Sequence, residues 1–241
     1  MYRVPGMLHH VTQRGNNRQD VFLTDNDRGE YLNLLKQKSK QCGMEILGYC
    51  LMTNHVHLVV RPERAESLAE ALGRTHFTYA QRFNLGHARS GYLWQARFYS
   101  CPAEEGALFI ILRYVERNPV RAGIVGQAWT YPWSSASLHV GNQVEEELID
   151  RATWTGLMKA DEWRTYVQET EDRERLKEIR RLTMVGRPLG NAEFVCKLGK
   201  KLGLKLEAPP RGRPWNRTRT KLAINSDCGA VEKPPSGCDF A

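Results

Sequence analysis

Four residues in two short stretches carry the chemistry this sequence can offer. The run Leu47–Arg61 holds Asn54-His55-Val56-His57-Leu58, two histidines flanking one hydrophobic residue in a β-branched, strand-like segment. Side chains alternate faces along a strand, so His55 and His57 share one face and Val56 takes the other. Two neighbouring imidazoles can chelate a metal ion. The second stretch, Arg113-Tyr-Val-Glu-Arg-Asn-Pro119, sets Tyr114 and Asn118 at i,i+4 spacing, on one face of a helix. Neutral imidazoles donate lone pairs to divalent cations, and the carboxamide oxygen of Asn118 adds a hard ligand. Together they suggest metal-assisted attack of the Tyr114 phenol on a phosphodiester. Mg2+ or Mn2+ fits phosphoryl transfer, with zinc chemically open. A free phenol has a pKa of about 10. Arg113, Arg117 and Arg121 crowd the segment with positive charge, which favours phenolate and holds backbone phosphates.

Each of these features has a plainer reading. An isolated His-x-His on a strand is more often a satisfied or exposed pair than a ligand set. A helix tyrosine more often packs against a sheet than attacks phosphorus. The other tyrosines, such as Tyr49, Tyr79 and Tyr99, lie on apolar faces and read as core.

The elements that must position these residues follow from periodicity and punctuation. A first strand covers Leu8–Arg14, ended by Gly15-Asn16-Asn17. A helix capped by Asp25 runs to about Gln41, with Gly43 at its end. Met44–Met52 and His55–Arg61 read as a hairpin joined at Thr53-Asn54. Ser67 caps a second helix, a strand lies around Trp94–Ser100, and Pro102 opens a third helix. Leu108, Ile111, Leu112 and Val115 form that helix's core stripe, and Asn118-Pro119 stops it. The order β-α-β-β-α-β-α predicts an α+β fold: a ferredoxin-like antiparallel sheet with helices packed on one face. Trp129-Thr-Tyr-Pro-Trp133-Ser-Ser135 closes this domain at about residue 144. Its three aromatics fit either a core or base stacking.

Residues 145–215 read as a basic, mostly helical extension: a charged helix over Asp161–Val185, a break at Gly186-Arg187-Pro188-Leu189-Gly190, and a short helix over Asn191–Leu202. Residues 216–241 are polar and aperiodic and are expected to be disordered. The 241-residue chain carries a net charge of +8. Residues 171–221 alone hold 15 Lys/Arg against 6 Asp/Glu, leaving the remainder nearly neutral. A basic third on a neutral domain points to a polyanionic partner. No apolar run approaches the roughly 20 residues that span a bilayer, and no signal peptide opens the chain, so a cytoplasmic protein without membrane contact is expected. The six cysteines form no Cys-x-x-Cys pair, which argues against a structural zinc site.

Taken in order, several motifs resemble the REP-associated tyrosine transposases, a bacterial group of one-tyrosine His-hydrophobic-His (HUH) transposases. They are His9-His-Val-Thr-Gln-Arg-Gly15, Met52-Thr-Asn-His-Val-His-Leu58, Trp94-Gln-Ala-Arg-Phe-Tyr99, Tyr114-Val-Glu-Arg-Asn-Pro-Val-Arg-Ala-Gly123, Tyr131-Pro-Trp-Ser-Ser135 and Gly186-Arg-Pro-Leu-Gly190. The resemblance covers about residues 5–215. It implies that His55, His57 and Asn118 ligate the metal. It further implies that Tyr114 cleaves single-stranded DNA hairpins, the REP palindromes, through a 5′-phosphotyrosine link. Arg14, Arg97, Arg113, Arg117, Arg121 and Arg187 are the expected DNA contacts. Arg211 and Arg213, in Pro210-Arg-Gly-Arg-Pro214, suit the minor groove of an A·T-rich duplex. Related insertion-sequence enzymes exchange the tyrosine helix between subunits; the long extension here favours a monomer over a homodimer. Two rival readings are a domesticated hairpin-binding protein with little catalysis and a zinc hydrolase.

Overall fold

The structure, a computed structural model, describes residues 4–142, 148, 149 and 151–206, of which 151–153 by backbone alone. Four strands, β1 (Leu8–Arg14), β2 (Met44–Met52), β3 (His55–Pro62) and β4 (Tyr99–Ala103), form one sheet in the order β2-β3-β1-β4, antiparallel throughout. The strand order is the ferredoxin-like one expected, with the histidine strand β3 internal, but helices cover both faces of the sheet rather than the single face expected.

Helices α1 (Asp25–Cys42) and α2 (Ser67–Gly86) are the two helices of the split unit. They pack with Val11, Leu51, Val56, Leu58 and Val60 in one apolar cluster. The opposite face carries α3 (Leu108–Glu116), α7 (Ala160–Gln168) and α8 (Arg173–Val185), in a cluster that takes Leu8, Cys50, Val59 and the full expected stripe of α3. Burying a side chain such as Leu112 stabilises by about 1.5–3 kcal/mol. Between and beyond these lie α4 (Asn118–Arg121), α5 (Ala136–His139), α6 (Arg151–Leu157) and α9 (Ala192–Leu202).

Boundaries shift where local chemistry decides. The cap of α1 is Thr24, not Asp25: its side chain accepts from Asp27 N–H while Asp27 accepts from the Thr24 N–H, a reciprocal capping box. The fourth strand lies later than expected and takes in Pro102, tolerated on an edge strand whose outer side carries only an isolated bridge from Ala103 to Leu189, with Pro102 O accepting from Leu189 N–H at 2.9 Å. The stretch read as one charged helix over 161–185 is two, α7 and α8, with Asp172 capping the second. Tyr49 and Tyr79 are core, but Tyr99 is 43% exposed because it opens the edge strand. The aromatic run Trp129–Trp133 is packed rather than open: the Tyr131 hydroxyl donates to Leu51 O at 2.7 Å, and Leu51 N–H donates to Trp133 O at 2.8 Å.

Gly48 sets how closely α3 approaches. A Cβ there would come within 2.3 Å of Leu112 Cδ2, so any larger residue would force the Leu112 side chain to move. The close approach carries the C-terminal turn of α3, with Tyr114, toward the histidine face of the sheet. The expected domain limit at residue 144/145 falls among residues outside the described set, as do Arg211, Arg213 and the whole of 216–241. No described helix is long and apolar enough to cross a membrane.

Candidate active site

Pairing of β1 with β3 opposes Thr12 to His57 and Arg14 to His55. Alternation then puts His10, Thr12 and Arg14 on the same face as the two histidines. The His55 and His57 rings lie with centroids 5.0 Å apart. Tyr114 joins them from α3, its ring 5.8 Å from that of His57 and 5.5 Å from that of His10. Tyr114 is 5% exposed and also lines a cleft of about 350 Å³ with Arg113, Glu171 and Arg175. Over its other face the Arg121 guanidinium stands 4.4 Å from the ring centre.

Burial pushes the imidazoles toward the neutral form. The His55 pKa falls to about 4 through desolvation and the nearby Arg14 charge. His57 is held well below its usual value by desolvation, then by His55, His10, Arg121 and Arg14. His10 drops to about 3 through burial and Arg121. A buried cation without a carboxylate partner is costly, so these rings keep free lone pairs at neutral pH.

Each candidate ligand has one end tied and one end free. His55 Nδ1 bonds Asn54 Oδ1 at 2.7 Å, and His57 Nδ1 bonds His10 Nε2 at 3.0 Å. Neither Nε2 has a hydrogen-bond partner among the described residues. Asn118 begins α4, where Pro119 has no N–H and interrupts the helical ladder. Its Nδ2 donates to Val115 O at 2.9 Å and to Tyr114 O at 3.2 Å. Both neighbours are carbonyl oxygens, so the nitrogen must sit between them, and Oδ1 faces away as the open acceptor. Two neutral nitrogens and an amide oxygen fit a divalent cation. No cluster of three or more His, Cys, Asp or Glu suited to a metal occurs among the described residues.

The arginines divide into two groups. Arg14 and Arg97 are exposed, and Arg97 lines an open groove of about 1130 Å³ with Phe77, Tyr92, Trp94 and Phe98. Arg113 pairs with Glu169 at 3.1 Å, while Arg117 and Arg121 share Glu171 at 3.0 and 2.7 Å. Arg121 also donates to Tyr114 O. These carboxylates come from the break between α7 and α8 that periodicity did not reveal. Arg187 is half-buried just after Gly186, the left-handed cap of α8. Sequence reasoning also missed His10 and Thr183: His10 is found only through the β1–β3 register, and Thr183 reaches His10 from α8 at 2.9 Å. Glu116 has a structural role, accepting from Ser135 Oγ at 2.6 Å, Trp163 Nε1 at 2.9 Å and His139 Nδ1 at full burial.

Fold and site together define a ferredoxin-like domain whose internal strand presents a histidine pair to a tyrosine on a packed helix. The family model "Transposase IS200 like" matches residues 3–118, the span holding His55, His57, Tyr114 and Asn118. Over these residues the chain is similar to IS200-like transposases. No curated protein matches the chain. Among solved structures, the chain is similar to one described as the REP-associated tyrosine transposase bound to a REP hairpin. That match has 17% identity and a TM-score of 0.49, covering 62% of this chain and 88% of the other. A putative transposase from Deinococcus radiodurans R1 matches at 19% identity and a TM-score of 0.36, covering 47% and 92%.

Proposed function

We propose that this chain is a REP-associated tyrosine transposase that cleaves and rejoins single-stranded DNA at hairpins, with Tyr114 as nucleophile. The observation that carries the reading is the meeting of Tyr114 with His57 and His10 across the sheet face, within one chain. The ordered motifs of the sequence support the REP-associated group in particular.

In the cleavage step the Tyr114 hydroxyl oxygen bonds to phosphorus and the P–O3′ bond breaks. The phenol proton is lost and the departing 3′ oxygen gains one, so a 5′-phosphotyrosine and a free 3′-hydroxyl result. Attack of a 3′-hydroxyl on that link reverses the step without ATP, because one phosphoester replaces another. A Mg2+ or Mn2+ ion held by His55, His57 and Asn118 would polarise a phosphoryl oxygen and offset charge developing on it. Arg14, beside His55, supplies positive charge at the rim of the face. The Arg97 groove, lined by aromatic side chains, suits unpaired bases by stacking. The catalytic domain is assigned to residues 1–144, and the basic helices of 145–215, with Arg187, Arg211 and Arg213, to the hairpin stem. Because the tyrosine and the histidine pair come from one chain, a monomer is self-sufficient. Such an enzyme works on DNA in the bacterial cytoplasm.

The test uses full-length protein, Mn2+ or Mg2+, and end-labelled single-stranded hairpins from repeats flanking its gene. Wild type is expected to give a shortened strand and a detergent-resistant protein–DNA adduct. Tyr114→Phe is expected to bind equally and give neither. Normal cutting by Tyr114→Phe overturns the mechanism, and tight binding without cleavage in either metal moves the protein to the hairpin-binding reading.

A further inference from the structure

A chain of hydrogen bonds crosses from helix α8 to His57 of the histidine pair. Thr183 Oγ1 lies 2.8 Å from Ile179 O and 2.9 Å from His10 Nδ1, and His10 Nε2 lies 3.0 Å from His57 Nδ1. The two imidazole planes are within 9° of parallel. Thr183, His10 and His57 are 4%, 1% and 6% exposed, so water is excluded from the path.

The direction of the whole chain follows from its end. A carbonyl oxygen cannot donate, so the short contact between Ile179 O and Thr183 Oγ1 requires the hydroxyl proton between them. With its single proton committed, Thr183 Oγ1 can only accept from His10, which must carry its proton on Nδ1. The neutral His10 ring then offers a lone pair at Nε2, and His57 must donate to it from Nδ1. That leaves the lone pair of His57 on Nε2, the atom free to bind a metal. His55 is set by the same logic from the other side. Asn54 Nδ2 donates to Arg18 O at 3.2 Å, so Asn54 Oδ1 faces His55 Nδ1 at 2.7 Å, and His55 must donate there. Both rings are thus directed by paths that end on backbone carbonyls.

We propose that Thr183 and His10 are positioning residues that lock His57 in the Nδ1–H tautomer, presenting its Nε2 lone pair as a metal ligand in concert with the Asn54-locked His55. The proposal rests on His55 and His57 being the ligands named above. It gives α8, which lies outside the span matched by the family model, a direct hold on the chemistry of that span. Metal-ligating histidines commonly depend on such outer partners, whose loss costs roughly 10–100-fold in metal affinity.

The test is nitrogen-15 NMR of histidine-labelled, metal-free, full-length protein, paired with Mn2+ titration by calorimetry. Wild type is expected to show His55 and His57 protonated at Nδ1 and bare at Nε2. Thr183→Val, which removes the acceptor, is expected to mix the tautomers of His57 while leaving those of His55 unchanged, and to weaken Mn2+ binding about tenfold. Thr183→Ser keeps the hydroxyl and is expected to restore both, which separates the relay from a general loss of packing. A wild-type His57 protonated at Nε2, or an unchanged His57 tautomer in a folded Thr183→Val, overturns the proposal. If the tautomers follow Thr183 as expected but Mn2+ does not bind wild type, the relay stands and the metal-site reading falls instead.

Discussion

The two faces of one strand have been given opposite tasks. On β3, Val56, Leu58 and Val60 face α1 and α2 in a cluster that includes Tyr31, Tyr79, Phe22 and Phe83, all buried. One residue along, His55 and His57 face α3 and α8 among Tyr114, Arg121, His10 and Thr183. The first face is held by apolar area and aromatic contact and asks little of proton positions. The second has an apolar cluster of its own, and around the histidines adds directed bonds whose donors and acceptors cannot be exchanged. A period of two lets one strand serve both, because neighbouring positions never meet the same surroundings. Stability and chemistry can therefore be altered separately on the two faces.

Leu58→Ala on the apolar face and His57→Gln on the polar one break that separation if it is wrong. Leu58 is fully buried in the sheet core, and its truncation is expected to cost about 2–5 kcal/mol in urea unfolding. The metal affinity of the folded fraction should be unaltered. His57→Gln removes one hydrogen bond to His10, worth about 1 kcal/mol, yet is expected to abolish Mn2+ binding and cleavage. Loss of metal affinity in Leu58→Ala under conditions where it is fully folded would show that the faces are mechanically coupled.

How much of this was legible depended on whether the signal was local. The hairpin carrying His55 and His57, the stripe of α3, the helix end at Gly43 and the break at Gly186 are written in adjacent residues, and the structure places them as expected. The Tyr114–His57 meeting is also legible, once the βαββαβ order is granted. What periodicity cannot supply is register between distant strands, and so His10 stayed unassigned although it abuts both His57 and Tyr114. Thr183 is a threonine in a charged helix, with nothing in its neighbourhood to mark it. Asn118 was read as a ligand because it shares a helix face with Tyr114. Its amide nitrogen proves also to repair the backbone gap left by Pro119, a task that only coordinates reveal.

The buried histidines give the two faces a common acid sensitivity that can be divided. His76 on the apolar side, bonded to the Tyr31 hydroxyl at 3.1 Å, has its pKa lowered by burial to about 3, and His9 is lowered to about 4. A base with a depressed folded pKa takes up its proton only on unfolding. Stability is therefore fully present above the unfolded value of about 6.5 and falls as pH drops from there toward the folded value. Each such ring adds up to about 1.4 kcal/mol of loss per pH unit in that window. Urea unfolding of metal-free protein between pH 7 and 4 is expected to show this steep decline. His76→Gln is expected to reduce its slope by one proton while leaving Mn2+ affinity at pH 7 unchanged. An unchanged slope would mean that His76 is protonated in the native protein.

The smallest effect concerns the arginines, where net charge says least about which side chains meet DNA. Arg117 and Arg121 are 16% and 14% exposed and share a Glu171 that is 7% exposed. Their charge is largely answered within the protein, and Arg117 also donates to Val167 O. Arg14 is exposed beside the histidine pair. Arg117→Ala should therefore lower stability by about 1–2 kcal/mol, since Glu171 keeps only Arg121, and leave the salt dependence of hairpin binding nearly unchanged. Arg14→Ala should do the reverse: stability within about 0.5 kcal/mol of wild type, weaker binding, and a slope of log affinity against log salt shallower by about one. If Arg117→Ala instead flattens the salt slope while stability holds, the Glu171 pair opens on binding. The polar face would then owe part of its order to the protein's own acids only until a phosphate replaces them.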